Sequence, residues 1–359
     1  MAASGRIALG ILVVGALMLG ACGTTSGTPS ATKHTQKVHV EPNVNFALPP
    51  TTDGCTGAMA LGGGATRVPI TVSVKAGQVA EMVNVCIDGK GPFPFVVDSG
   101  AGESIIAAHL AKQLDLTHSG AAQEYAGVGC TGSAQPVAVS SWSVAGLALD
   151  PQDLTAATLP DFGGKGEPVG LLGSDVYGRF GAIRIDFSAQ TLTFGGPEGP
   201  APSGNVVVHG PRGPAPSAVL TQGQSGTTVP LTVVLTPGEA ALNVALRFAD
   251  GPKRTFTVDT GSSQSVVNSS LAKAEHLAKS NLAQQQSTVC STITTPLVHS
   301  GPWSIPGVTL HQQLIGTAPF GPISQAGLLG SDQLIRYGWV IFDYTGGRLV
   351  LGQKSAITS

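Results

Sequence analysis

Phe93-Pro94-Phe95-Val96-Val97-Asp98-Ser99-Gly100 and Thr255-Phe256-Thr257-Val258-Asp259-Thr260-Gly261 are the two stretches that decide how this chain reads. In each, a short apolar run delivers an Asp, a hydroxyl residue and a Gly. A small polar loop and an apolar pair follow, Ile105-Ile106 in one case and Val266-Val267 in the other. One such triplet carries little information. Two in matching contexts point to a pair of carboxylates built by internal duplication, and paired carboxylates suit acid–base chemistry.

The duplication extends well beyond the triplets. Asp98 and Asp259 are 161 residues apart, as are Trp142 and Trp303, and Cys130 and Cys290 are 160 apart. Gly170-Leu171-Leu172-Gly173-Ser174-Asp175 recurs unchanged as Gly327-Leu328-Leu329-Gly330-Ser331-Asp332. Ile185-Asp186-Phe187 is answered by Phe342-Asp343-Tyr344, and Val68-Pro69-Ile70-Thr71-Val72 by Val229-Pro230-Leu231-Thr232-Val233. A period of about 160 residues is too long for a solenoid unit. It matches two homologous lobes of ordinary domain size.

Composition fits an all-β chain. Charged residues make up 11% and the formal net charge is −2, which excludes a basic nucleic-acid surface. Gly (49) and Pro (25) are abundant, as expected for short strands joined by tight turns. The densest Pro/Gly stretch, 197–222, reads as a linker, with Val206-Val207-Val208 as an isolated strand inside it. The lobes are then 65–196 and 223–359.

The N-terminus reads as an address. Arg6 precedes an apolar run from Ile7 to Leu19, too short for a membrane span and suited to a signal peptide over 1–21. Leu19-Gly20-Ala21-Cys22 resembles the bacterial lipobox, which implies cleavage before Cys22 and lipid attachment to it. The expected location is the bacterial cell envelope, lipid-anchored on the outer face of the cytoplasmic membrane. Residues 22–64 read as a flexible tether, with ordered structure starting near Ala65.

Within the lobes, Ala80 to Asp88 predicts a strand closed by an Asp88-Gly89 hairpin turn. Phe93 to Val97 predicts a buried strand. Ile105 to Leu116 and Ser269 to about Ala278 predict helices. The Leu-Leu-Gly-Ser-Asp segments predict a strand leading into a helix, with Asp175 and Asp332 as N-caps. Asp186 and Asp343 read as turn and strand-end residues, and Trp142 and Trp303 as packing residues. Glu103, Ser262 and Ser263 read as loop residues close enough to touch a substrate.

A hydrophobic pair followed by Asp-Ser/Thr-Gly and, later, by Leu-Leu-Gly resembles the aspartic protease superfamily. The likeness is to its retroviral-type and bacterial domains, here duplicated in one chain as in pepsin. It implies two homologous β-barrel-like lobes with a cleft between them, and a monomer that is an intramolecular pseudo-dimer. It implies catalysis by Asp98 and Asp259, which share a proton and activate a water. Gly100 and Gly261 let the two loops approach closely. By resemblance, Ser99 and Thr260 hydrogen-bond across the lobe interface. The substrate is a peptide or protein, bound as an extended strand under a flap at Gly127, Val128 and Gly129. The second lobe has no glycine in Ser287–Thr292, so the first lobe is expected to supply the mobile flap. No cofactor, metal or nucleic acid is implied. The alternative function is a catalytically silent lipoprotein of this fold that binds peptides or acts as a scaffold.

Four cysteines remain after Cys22: Cys55, Cys86, Cys130 and Cys290. They allow three pairings, and sequence does not choose among them. The expectation preferred here joins Cys55 or Cys86 to one of the other two, stapling the N-terminal segment to a lobe. A Cys130–Cys290 bond, tying the two flap regions together, is the other reading.

Overall fold

The computed structural model describes residues 39–41, 54–160, 167–214, 216, 219, 224–320 and 325–353. The expected signal segment, 1–21, and Cys22 lie outside the described residues. The architecture is all-β in two lobes. A ten-stranded sheet builds the first lobe and a twelve-stranded sheet the second. A seven-stranded sheet takes strands from both lobes and joins them. The sheets are open, and among the described residues none closes into a barrel.

The joining sheet carries the pseudo-symmetry. Ala182–Asp186 pairs antiparallel with Trp339–Asp343, so Arg184 faces Ile341, its own counterpart in the repeat. The next strands outward on either side are Thr191–Phe194 and Arg348–Leu351. Asp186 and Asp343 end their strands by accepting turn amides, from Ala189 at 2.9 Å and Gly346 at 2.7 Å.

The loops bearing the two Asp residues follow from local sequence. Gln78–Ile87 turns back at Asp88 (φ 48) and Gly89 (φ 72) into Lys90–Val97. Positive φ at both turn residues is the hairpin geometry that Asp-Gly favours. Val96 and Val97 then pair in parallel with Leu171 and Leu172. Ile105–Ala107 lies on the far side of Gly170–Leu172, antiparallel to it, and pairs in parallel with Gln152–Ala157. The chain thus leaves one buried strand, loops out at Asp98 and re-enters beside another. The second lobe repeats this: Phe256–Asp259 pairs with Gly327–Gly330, and Val266–Asn268 returns beside it. Gly170 and Gly327 are required here, because a Cβ on either would run into the ring of Phe95 or Phe256.

Several expectations need correction. The helix predicted from Ile105 covers only Ala108–Gln113, because the branched pair Ile105-Ile106 is a buried strand. The second-lobe helix is Ser269–Ala274, capped by Asn268, whose side chain accepts from the Ser270 amide. Val206–His209 is not isolated; it pairs with Thr232–Leu235 in the second-lobe sheet. Order also begins before Ala65. Cys55 bonds to Cys86, Met59–Ala60 pairs with Thr66–Arg67, and His39–Glu41 runs parallel to Leu282–Gln284.

One apolar cluster runs through both lobes, including Val83, Phe95 and Trp142 on one side and Val244, Phe256 and Trp303 on the other. The two tryptophans are buried, and each indole N–H donates to a backbone carbonyl, of Asp150 at 2.9 Å or His311 at 2.7 Å. They pack the core, as their sequence context suggests.

Candidate active site

Asp98 and Asp259 are carried on two loops that interlock. Ser99 N–H donates to Thr260 Oγ1 at 2.9 Å, and Thr260 N–H donates to Ser99 Oγ at 3.1 Å. The same hydroxyls donate onward across the interface, Ser99 to the Val258 carbonyl at 2.9 Å and Thr260 to the Val97 carbonyl at 2.6 Å. Each such bond contributes about 1 kcal/mol. Four of them, fully buried, fix the register of one loop on the other. Ser99 and Thr260 therefore sit where the sequence reading put them.

The glycines face the carboxyls. A Cβ on Gly100 would overlap the carboxyl of Asp259, and one on Gly261 the carboxyl of Asp98. Any larger residue would push the acids apart. Both acids are over 90% buried and within hydrogen-bonding reach of one another. Burial raises both above the usual carboxylate range. The charge of Asp98 lifts Asp259 further, to well above that range. Asp98 is held lower by the N–H groups of Ala101 (2.8 Å) and Gly100 (2.9 Å) and by the hydrogen bond from Asp259. Two buried carboxyls this close cannot both ionise cheaply, and the pair shares one proton.

A layer behind the loops holds them. Ser174 Oγ lies 2.9 Å from the Ser99 carbonyl and 2.8 Å from the Tyr344 hydroxyl. Ser331 Oγ lies 3.2 Å from the Thr260 carbonyl and 2.9 Å from Glu81 Oε2. Each serine thus supports the loop of its own lobe and touches a polar group from the opposite lobe. Glu81 is completely buried, and burial pushes it up to about 8. One hydroxyl proton cannot serve two acceptors. Ser331 therefore donates to the Glu81 carboxyl or to the Thr260 carbonyl, one at a time.

Asp175 and Asp332 are not N-caps. Gly173 and Gly330 occupy the cap positions and have no side-chain cap. The carboxylates instead accept from Ser104 Oγ at 2.8 Å and Ser265 Oγ at 2.7 Å, and from the amides of Gln152 and Gln313. The two serines accept in turn from the Gly173 and Gly330 N–H groups. Each Asp thereby pins its active loop to the strand beside it. Ser104 and Ser265 stand 161 residues apart, a repeat signal that could have found them. A lone acid in the apolar run Val79–Ile87 was the corresponding signal for Glu81.

A cleft of about 1110 Å³ lies over the dyad. Asp98, Gly100, Asp259 and Gly261 form its floor, and Glu103 and Ser262 also line it. Ser263 does not; its carbonyl accepts from Val79 N–H at 3.0 Å. The roof comes from two hairpins. One is Gln123–Gly127 with Cys130–Val139, turning at Val128-Gly129; the other is Lys279–Ser287 with Thr292–His299. The expected asymmetry is therefore absent, since both lobes supply a hairpin over the cleft. The second turns without glycine because Thr288 Oγ1 bonds both the carbonyl (2.8 Å) and the amide (3.2 Å) of Ser291.

The preferred cysteine pairing is also overturned. Cys55 bonds to Cys86 and Cys130 to Cys290, the latter with 6.0 Å between Cα atoms. The equivalent hairpins bring their tips together on the pseudo-twofold axis, within bonding distance. Cys86, in Gln78–Ile87, is bonded instead to Cys55 of the N-terminal segment.

The family model described as "Aspartyl protease" matches residues 83–176 and 244–333, together just over half of the chain. The chain belongs to the aspartyl protease family. The two matched segments begin at equivalent points of the repeat and enclose Asp98 and Asp259. Among solved structures, the crystal structure of an aspartic proteinase from Irpex lacteus is similar, at 14% identity and a TM-score of 0.45, covering 82% of this chain and 99% of that one. No curated protein matches the chain.

Proposed function

We propose that this chain is an aspartic endopeptidase in which Asp98 and Asp259 activate a water for peptide hydrolysis. The observation that carries this reading is the pair of buried carboxyls, within hydrogen-bonding reach of each other, at the floor of the cleft. Asp98 takes a proton from the attacking water. Asp259 gives its proton to the carbonyl oxygen, and a tetrahedral diol forms. Asp98 then passes the proton it took to the amide nitrogen, Asp259 recovers its own from a diol hydroxyl as the carbonyl reforms, and the C–N bond breaks to release an acid and an amine. A peptide lies extended between floor and roof, its main chain bonding to both hairpins.

The test is cleavage of a mixed peptide library by protein lacking residues 1–22, from acidic to neutral pH. Asp98→Asn and Asp259→Asn should each lower kcat by roughly 10²–10⁴-fold with the fold retained. Wild-type rates in either variant would falsify the shared-proton mechanism.

The place of action we propose is the bacterial cell envelope, with the protein anchored through lipidated Cys22 at the outer face of the cytoplasmic membrane. The motif Leu19-Gly20-Ala21-Cys22 supports this. Cys22→Ala should move the protein from the membrane to the soluble fraction. Unchanged membrane association would rule the anchor out.

A further inference from the structure

The roof over the cleft is covalently closed. Cys130 follows the tip of the first-lobe hairpin and Cys290 lies in the turn of the second, and they are bonded to each other. The tips also cross. Val128 packs with Phe320 and Val266 of the second lobe, while Val289 packs with Ile105 and Ala157 of the first. Tyr125 donates to the Val289 carbonyl at 3.4 Å, and Cys130 Sγ lies 3.1 Å from Thr288 Oγ1.

The main chain between the two cysteines completes a ring. From Cys130 it runs down the first lobe, through Ala182–Asp186 in the joining sheet, and up the second lobe to Cys290. Where the chain crosses between the lobes, after Phe194, Pro200, Ala201 and Pro202 reach the cleft wall, while the floor is closed by the interlocked loops of Ser99 and Thr260. Bonded roof, lobe walls and interlocked floor together enclose the space above Asp98 and Asp259.

A substrate entering sideways needs the tips to part by about the thickness of a peptide layer, roughly 10 Å. Bridged Cα atoms stay within about 6.8 Å of each other. The tips can tilt together, but they cannot separate. We propose that, with this bond formed, the site admits only chains that thread in from a free end, so its substrates are linear peptides or the unfolded tails of proteins. Internal loops of folded proteins and closed rings are then excluded. This rests on the peptidase reading above.

The test compares one flexible sequence in two forms, a linear peptide and the same peptide cyclised head to tail. Wild-type protein should cleave the linear form at least about 100-fold faster, and Cys130→Ser/Cys290→Ser should cleave the two within about threefold. Equal rates on both peptides by the wild type would overturn the proposal. So would undiminished discrimination by the double variant, because the barrier would then lie elsewhere. Should that variant not fold, wild-type protein treated with a phosphine reductant supplies the open form.

A second arm needs no turnover. Fluorescently labelled linear and cyclic peptides are bound to Asp98→Asn protein, with and without the Cys130–Cys290 bond. Threading requires the linear form to bind and the cyclic form to be refused only when the bond is present. If neither peptide is cleaved by the wild type but this binding pattern holds, the peptidase reading fails and the threaded channel stands. Equal binding of the two forms, or no binding of either, overturns the channel.

Discussion

At the residue scale, Glu81 is the most consequential side chain beyond the dyad. Among the described residues its Oε1 has no hydrogen-bond partner and its Oε2 meets Ser331, and no cation stands beside it to favour the charged form. Burial raises its pKa to about 8, with Asp98 adding a smaller push in the same direction. The folded protein holds this proton more tightly than the unfolded chain does. The resulting stabilisation is complete below the unfolded pKa, near 4.5, and is lost as pH rises through about 8. Its size is several kcal/mol in order of magnitude, at about 1.4 kcal/mol per pKa unit. Glu81→Gln keeps the shape and cannot ionise. The melting temperature of Glu81→Gln minus that of the wild type should therefore be clearly more positive at pH 8 than at pH 5. A difference independent of pH would show that Glu81 does not carry a proton in the fold.

At the element scale, the parts legible in sequence are those in which neighbours along the chain set the geometry. Apolar runs ending at Asp98 and Asp259, the Asp88-Gly89 turn and the Leu-Leu-Gly strands were readable because period, turn chemistry and repeat agreed. The supports behind them were harder. Asp175 and Asp332 sit at helix starts, where a capping role is the local inference, yet their partners Ser104 and Ser265 are 71 and 67 residues away. The glycine-free turn at Thr288–Ser291 looked too stiff for a hairpin tip because its side-chain bonds were not visible in a string of letters. Cysteine pairing was settled by which hairpins meet, a fact of tertiary structure. Ile105-Ile106 fitted a helical pattern and became a strand, because two strands of the lobe sheet flank it.

At the scale of the whole molecule, the two lobes behave as one body. The apolar cluster is continuous across them, and the joining sheet pairs strand with strand through the pseudo-twofold axis. A buried contact adds to this: the guanidinium of Arg184 in the first lobe lies 4.5 Å from the ring centre of Trp339 in the second. Parting the lobes would expose apolar side chains of both to water. Calorimetric unfolding of the oxidised protein should therefore give a single transition, with van't Hoff and calorimetric enthalpies equal. Two resolved transitions would show that the lobes melt independently.

The supports of the two active loops also differ: a tyrosine hydroxyl stands behind Ser174 and a carboxylic acid behind Ser331. The residue matching Glu81 in the other repeat is Leu242, and the one matching Tyr344 is Phe187. Two identical subunits would have to place the same group in both positions, and neither acid of their dyad could be favoured over the other. Fusion into one polypeptide lifts that constraint. Each half is free to differ, and the two loops rest on unequal supports before any ligand arrives.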